Sequence, residues 1–280
     1  MTFSIVARSM DGLSHGVAVA SKFLAVGAAV PAAAARIGAI ATQSYANLAY
    51  RPEGLALLAN GHSAAATMDL LTAADELREQ RQAGVVAGTG PGATYTGAQC
   101  LPWAGGRTGD GYAIQGNILA GQEVVEAMEA AYLATDPKAP LGRRLVAALL
   151  AGDRAGGDRR GRQSAALLVV TPGGGYGGGS DVLVDLRVDD HLDPTAELAR
   201  LLQAHALYFE RPDPAQCLPL QGPLAVRVAA LLAARGYTGG TLAQDLSDWA
   251  GMENLEERLV TDRIDPLVLS HLEQSRPALP

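Results

Sequence analysis

Thr2 follows Met1 directly and begins the alternating apolar run TFSIVAR. Threonine is small enough to let Met1 be removed, which would leave one residue with both a hydroxyl and a free α-amine. An α-amine has a pKa of about 7.7–8.0, so it can accept the hydroxyl proton. The position therefore predicts a nucleophile that needs no histidine, and the five histidines form neither HExxH nor a GxSxG partner set.

Two residues of VASKF are candidates to assist that nucleophile. Lys22 could lower the pKa of the hydroxyl and keep the amine neutral by like-charge repulsion. Ser21 precedes it, and successive side chains of a strand face opposite sides. At most one of Ser21 and Lys22 can therefore face Thr2; both stay open as candidates, and Lys22 is the slightly favoured one.

Strand-to-helix junctions offer groups that could hold an oxyanion or a substrate. In ATQSYANLAY, backbone N–H groups around Gln43 are suitably directed for an oxyanion, although helix capping by Ser44 and Asn47 is an equal alternative. In QGNI, Asn117 is a candidate substrate-binding residue beside Gln115, and a simple turn explains the motif nearly as well.

The densest polar cluster is GGDRRGRQS, before an apolar strand. An arginine there could bind a carboxylate through two hydrogen bonds, and a solvated charged turn is the alternative. The candidates for substrate binding are Asp158, Arg159, Arg162 and Gln163. A metal site at Asp189, Asp190 and His191 is a weaker alternative because these ligands stand too close together, so no metal or cofactor is expected.

Apolar periodicity indicates the elements that must position these residues. TFSIVAR and GVAVASKFLAVGAAV read as a hairpin of buried strands, IGAIATQS as a third strand, and residues 52–83 as helical. Further strands follow, and two helical stretches lie between them. This order predicts a layered α/β fold with packed sheets and outer helices.

Composition changes after residue 195. We expect an α/β domain over 1–195, a helix and Pro-rich linker over 196–222, and a small all-α module over 223–280. The net charge is −7, which disfavours nucleic acid as a partner. No secretory leader or long apolar segment is visible, and the two cysteines are far apart, so no membrane partner and a cytoplasmic location are expected.

TFSIVAR, GVAVASKF, ATQS, RQAGVV, QGNIL and GGDRRGRQSAALLVV, in this order, resemble the bacterial domain-of-unknown-function family 1028. That family is usually grouped with the N-terminal-nucleophile (Ntn) hydrolases, and the similarity runs from Thr2 to about Asp193. The tail, with GYTGG, ENLEER and IDPLVL, resembles a small peptidoglycan-binding-like module.

The resemblance implies a four-layer αββα sandwich of the Ntn-hydrolase type, with Thr2 as nucleophile. It sets Ser21 and Lys22 where a charged second-strand residue is expected, Arg36 near a basic third-strand position, and Gln43 near the oxyanion turn. No aspartate stands at Ser21, which departs from the pattern.

These observations favour an amidohydrolase that acts on a small amide or peptide-like substrate. The alternative is a noncatalytic binding or scaffold protein that keeps the fold, with the C-terminal module as its partner surface. A homodimer is compatible with either hypothesis.

Overall fold

The computed structural model describes residues 2–275, so the predicted removal of Met1 concerns a residue outside this range. The chain forms two compact units, Met1–Leu202 and Gln203–Pro280. The division falls within one helix, Pro194–Phe209, whereas the sequence places domain limits at residues 195 and 223. None of the helices within 2–275 is long and apolar enough to cross a membrane.

The first unit contains ten strands and helices on both sides of them. In chain order its elements are β1 Thr2–Arg8, β2 His15–Ser21, α1 Val26–Ala29, β3 Pro31–Ala34, β4 Gly38–Ser44, α2 Tyr50–Ala59, α3 Ala64–Ala73, β5 Arg81–Ala87, β6 Ala93–Thr96, β7 Gly105–Gly109, β8 Tyr112–Asn117, α4 Glu123–Ala134, α5 Leu141–Arg154, β9 Ser164–Val170, β10 Val182–Val188 and α6 Pro194–Phe209, which continues into the second unit.

Two antiparallel sheets organise this unit. One has the order β10-β9-β2-β1-β8-β7 and the other the order β3-β4-β5-β6. β1 lies at the centre of the larger sheet, between β2 and β8, and its residues are buried on both faces from Thr2 to Ala7. The predicted hairpin therefore forms the middle of the sheet, and the first described residue begins its central strand.

Alternation along β1 distributes its side chains between two cores. Phe3 and Ile5 belong to a core that includes residues of α4 and α5, among them Met128 and Leu145. Val6 belongs to a second core of small residues drawn from both sheets, such as Val17, Ala39 and Val86. Burial of these apolar side chains on both faces supplies the main driving force for stacking the sheets.

A third core lies on the other face of the smaller sheet. Ile40 of β4 and Val85 of β5 pack there with Leu58 of α2 and Met68 of α3. The first core thus lies between the larger sheet and α4 and α5, the second between the two sheets, and the third between the smaller sheet and α2 and α3. The predicted mixed α/β class with a helical C-terminal region is confirmed, and the attribution of this layering to the Ntn-hydrolase type stays a prediction.

The run GVAVASKFLAVGAAV differs from the single strand that its composition predicts. β2 ends at Ser21, and the chain turns through Ala25, whose φ is 52°, into the short helix α1. The hydroxyl of Ser164 donates to the Phe23 carbonyl and accepts a hydrogen bond from the Val26 N–H at 3.1 Å. Because a side chain satisfies these backbone groups, the run can leave the sheet.

The second unit is helical around one small core. After α6 it contains β11 Leu218–Pro219, α7 Gly222–Ala233, α8 Leu242–Met252, β12 Arg263–Ile264 and α9 Pro266–Gln274. Trp249, Leu232 and Leu272 are fully buried in its core. Arg258 is buried beside them and pairs with Asp265, which is itself buried.

His15, at the start of β2, predicts a pH-dependent stability of the first unit. Its side chain is fully buried, and this burial lowers its pKa to about 4. The unfolded chain then binds the extra proton between about pH 6.5 and pH 4, so the free energy of unfolding falls as the pH drops through that window, by at most about 3 kcal/mol.

Urea unfolding curves between pH 7 and pH 4 measure this dependence. His15→Leu removes the titrating group, so we expect a flatter pH profile than that of the wild type. His62→Leu changes an exposed histidine of the same unit and is expected to leave the profile unchanged. Identical profiles for wild type and His15→Leu would contradict the assignment.

Candidate active site

A cavity of about 390 Å³ opens where β1 begins and β2, β4 and β8 end. Four residues that the sequence singled out line it: Thr2, Ser21, Gln43 and Asn117. The remaining lining residues are Phe23, Val26, Ala29, Val30, Ser44, Tyr45, Ala46, Gln99, Leu101, Ile118 and Arg160. The antiparallel topology thus brings residues up to 158 positions apart to one edge of the sheets.

Strand register places a row of polar residues across the end of the larger sheet. Thr2 pairs with Asn117 on one side and with Ser21 on the other, and Ser21 pairs with Ser164. The Oγ1 atom of Thr2 lies 3.1 Å from the Oγ atom of Ser21. Thr2 lines the cavity and is only 6% exposed.

Buried amides hold Thr2 from between the sheets. Gln43 Nε2 donates to the Thr2 carbonyl at 3.3 Å and to Gln82 Oε1 at 2.8 Å, and its Oε1 accepts from the Ser4 hydroxyl at 2.7 Å. Gln82 Nε2 donates to the Gly116 carbonyl at 2.7 Å. Hydrogen bonds within a buried polar network restrain its members, so Thr2 is fixed in position.

Asn117 presents an acceptor to the cavity. Its Nδ2 donates to Gln82 Oε1 at 2.9 Å, which fixes the orientation of the amide. Its Oδ1 is buried and has no hydrogen-bond donor among residues 2–275. An unpaired buried acceptor costs free energy, so this oxygen is poised to accept a hydrogen bond from an N–H group at the site.

The turn after β4 forms one wall of the cavity. Ser44 adopts a left-handed φ of 69°, and Ile118 on the facing segment has a φ of 50°. Both conformations are strained for residues with a β-carbon, and such strain is concentrated at functional sites. Within the described chain, no acceptor is present for the backbone N–H of Ala46, which lines the cavity beside Ser44.

Asp75 stabilises this turn through hydrogen bonds. Its Oδ2 accepts hydrogen bonds from Asn47 Nδ2 at 3.0 Å, the Tyr50 hydroxyl at 3.0 Å and Arg81 Nε at 2.9 Å. Arg81 in turn donates to the Tyr45 carbonyl. Burial alone would raise the pKa of Asp75, but the hydrogen bonds from Arg81, Asn47, Leu77 and Tyr50 hold it well below its usual range.

Asp75→Asn is expected to lower the free energy of unfolding by about 2 kcal/mol, because it leaves the guanidinium of Arg81, a side chain only 13% exposed, without its carboxylate. The same change should increase hydrogen exchange at the amides of residues 45–47. Urea unfolding and hydrogen-exchange mass spectrometry measure the two effects. Asp69→Asn, on an exposed face of α3, is the matched control, and equal behaviour of both variants would contradict this role.

Arg160 is the cation that reaches the cavity. Asp158 accepts from the Arg160 backbone N–H at 2.8 Å and from the Lys22 backbone N–H at 2.7 Å, so its carboxylate joins the loop to the end of β2. The Arg160 guanidinium donates to the Lys22 carbonyl at 3.1 Å and to Asp158 Oδ2 at 3.4 Å, and it remains 45% exposed. Asp158 therefore positions a half-exposed guanidinium at the mouth of the cavity.

Apolar side chains form the outer rim of the cavity. Phe23, Tyr45 and Leu101 line it and are each more than half exposed to solvent. The cavity consequently combines a polar inner end, at Thr2 and Asn117, with an apolar entrance beside a cation. Such a combination of apolar walls and few polar groups is typical of small-molecule sites.

Comparison with known protein families gives a match over most of the first unit. The model of the family of unknown function DUF1028 matches residues 2–198. The chain belongs to the DUF1028 family. A second family model, described as "Putative peptidoglycan binding domain", matches residues 208–272.

A solved structure supports the same assignment for the DUF1028 domain. The chain is similar to protein SPO2555 from Silicibacter pomeroyi, a DUF1028 protein, with a TM-score of 0.65 and 29% sequence identity over 81% of this chain and 92% of that one. Among curated proteins, no match to the chain is found. The predicted family resemblance is thereby confirmed.

Other residues that the sequence singled out lie away from the cavity of the DUF1028 domain. The Lys22 ammonium donates to the Arg162 carbonyl at 3.2 Å, and Ser21 is the neighbour of Thr2 instead. Arg162 pairs with Asp153 at 2.8 Å. Arg159 is exposed, and Arg36 is an exposed turn residue with a φ of 63°.

Gln163 also lies outside the cavity, and its carbonyl accepts from the His191 N–H at 2.8 Å. The three candidate metal ligands, Asp189, Asp190 and His191, do not form a group that could hold an ion. No group of three or more His, Cys, Asp or Glu side chains that could hold a metal ion occurs within residues 2–275. In the DUF1028 domain, the candidate site therefore consists of the polar residues Thr2, Ser21 and Asn117 at the end of the larger sheet, together with Arg160.

Sequence reasoning missed Gln82, Ser4 and Arg160. Gln82 and Ser4 are each flanked on one side by the apolar part of a strand, in RQAGVVA and TFSIVAR, which is a signal for a buried hydrogen-bonding position. Arg160 has no such signal, because which side chain of an irregular loop faces a cavity is decided by turn geometry rather than by spacing.

Proposed function

We propose that this protein is an N-terminal-nucleophile amidohydrolase that uses Thr2 after removal of Met1. One observation carries the proposal: the Thr2 hydroxyl stands at the start of the central strand, 3.1 Å from the Ser21 hydroxyl, in the wall of a cavity of about 390 Å³. The two antiparallel sheets, with Thr2 on the central strand of the larger one, agree with it.

The reaction has two steps. The α-amine of Thr2 accepts the Oγ1 proton while Oγ1 attacks the carbonyl carbon of a substrate amide. The tetrahedral intermediate then expels the amine of the substrate, which takes up the proton held by the Thr2 α-amine. An ester between Thr2 and the acyl group of the substrate is left. Water, activated by the same α-amine, hydrolyses the ester to the free acid and regenerates the Thr2 hydroxyl.

Two groups of the cavity support this chemistry. The Ala46 N–H, at the strained turn after β4, is a donor for the oxyanion of the tetrahedral intermediate. Asn117 Oδ1 is an acceptor for the α-amine of Thr2 or for the substrate N–H. The proposed oxyanion donor, Ala46, thus lies just after Gln43 in the chain. The Gln43 side chain itself donates a hydrogen bond to the Thr2 carbonyl.

The entrance of the cavity indicates the substrate class. Arg160 offers a half-exposed guanidinium for a carboxylate, and Phe23, Tyr45 and Leu101 offer apolar contact area. We therefore propose a small amide that carries a carboxylate and an apolar group, such as an N-acyl amino acid.

A panel of N-acyl amino acids, their amides and small lactams tests the substrate class. Arg160→Met is expected to raise KM for carboxylate-bearing substrates on the order of tenfold or more, and to change KM for the neutral amides little. Arg159→Met removes an exposed arginine next to it and is the matched control. Equal KM values for carboxylates and neutral amides in the wild type would contradict carboxylate recognition.

Absence of hydrolysis across the panel, in protein shown to carry a free Thr2, would count against the amidohydrolase proposal. Retention of Met1 together with ligand binding in the cavity would favour a noncatalytic binding protein instead.

A further inference from the structure

A second cavity, of about 190 Å³, lies at the opposite end of the larger sheet from Thr2. Its walls come from the end of β1, the β7–β8 turn, α4 and α5. The residues that matter for its chemistry are Arg8, Asp110, Tyr112, Tyr132 and Arg144. None of them touches the groups of the candidate active site described above.

Arg144 is a buried cation that pairs with no carboxylate of the described residues. Its exposure is 7%, its Nε donates to Thr135 Oγ1 at 3.0 Å, and its guanidinium carbon lies 4.1 Å from the centroid of the Tyr132 ring. Among the ion pairs of residues 2–275, none involves Arg144. A neutral hydroxyl and an aromatic face compensate a buried charge only in part, so the site favours an anion.

Arg8 adds a second guanidinium to the same cavity. Its side chain is 14% exposed and donates to Asp110 Oδ1 at 2.9 Å and to the Gly90 carbonyl at 3.3 Å. Asp110 is the acidic residue of the lining, and its side chain is 81% exposed. The two arginines therefore leave one net positive charge, which is concentrated at the inner end of the cavity.

The carboxylate of Glu129 does not cancel this charge. Glu129 accepts from the Tyr112 hydroxyl at 2.8 Å and pairs with Arg107, and it does not line the cavity. The Tyr112 and Tyr132 rings, with centroids 5.2 Å apart, form an aromatic wall. Together these residues make a partly open site in which a guanidinium fork can bind an oxyanion through two hydrogen bonds.

We propose that this cavity is a binding site for a small oxyanion, a carboxylate or a phosphate, held between Arg144 and Arg8. A volume of about 190 Å³ is large enough for a small oxyanion. The site is separate from the proposed hydrolase centre and does not depend on it.

Calorimetric titration of the full chain tests the proposal, with inorganic phosphate and succinate as probes at constant ionic strength. We expect saturable binding of at least one probe, and the tighter one identifies the anion class. Arg144→Met is expected to weaken it on the order of tenfold or more. Arg143→Met, an exposed neighbour on α5, should bind like the wild type.

Arg8→Met provides a second variant if Arg144→Met fails to fold, and it is also expected to weaken binding. The proposal is overturned if neither probe binds saturably to the wild type, or if a folded Arg144→Met or Arg8→Met protein binds both probes as tightly as the wild type does.

Discussion

Thr2→Ala is expected to lower kcat for amide hydrolysis by at least about 10³-fold, because it removes the only atom that forms the covalent ester in the proposed reaction. The change is small in structural terms. Thr2 is buried at the start of β1, and its hydroxyl lies within hydrogen-bond distance, 3.1 Å, of the Ser21 hydroxyl. Loss of activity would therefore report on chemistry rather than on folding.

Thr2→Ser is the matched control for this prediction. Serine keeps a hydroxyl and, like threonine, is small enough for Met1 to be removed, so part of the activity should remain. Steady-state kinetics on one substrate, with circular dichroism to verify folding, separates the two variants. Thr2→Ala protein with wild-type kcat would show that another group is the nucleophile.

Asp265→Ala is expected to lower the free energy of unfolding of the second unit by about 3–5 kcal/mol. The Asp265 carboxylate accepts from Arg258 Nε at 2.7 Å and also caps the start of α9 through the Leu267 N–H at 2.8 Å. Its loss leaves the buried guanidinium of Arg258 without a counter-charge, although that group still donates to the Ala206 and Glu210 carbonyls.

Urea unfolding followed by the fluorescence of Trp249, which is buried in the same unit, measures this effect. Asp265→Asn keeps a capping oxygen and removes the charge, so it should recover only the cap, worth about 1 kcal/mol. Asp248→Ala, exposed on α8, is the control. A cost below about 1 kcal/mol for Asp265→Ala would contradict a structural role for the pair.

The sequence predicted the class of fold because strands and helices here carry distinct apolar periods. TFSIVAR alternates, and the helices that cover the sheets repeat every three to four residues. The same alternation predicted that only one of Ser21 and Lys22 could face Thr2, and the strand register places Ser21 there.

Other features depend on contacts between distant elements and could not be predicted. Gly84 is an example: a β-carbon there would lie 2.0 Å from Gln115 Oε1, so its small size reflects the buried amide on another sheet. Arg160 is a second example, since an Asp158 carboxylate that binds backbone N–H groups of two segments decides where it lies.

The N-terminal residue of catalytically active protein is the most direct test of the proposed mechanism. Intact-mass and N-terminal peptide analysis should show protein that lacks Met1 and, when a slowly hydrolysed acyl substrate is added, an acyl group attached to Thr2. Full turnover by protein that retains Met1 would contradict the account, because an acylated nitrogen cannot accept the proton of the Thr2 hydroxyl.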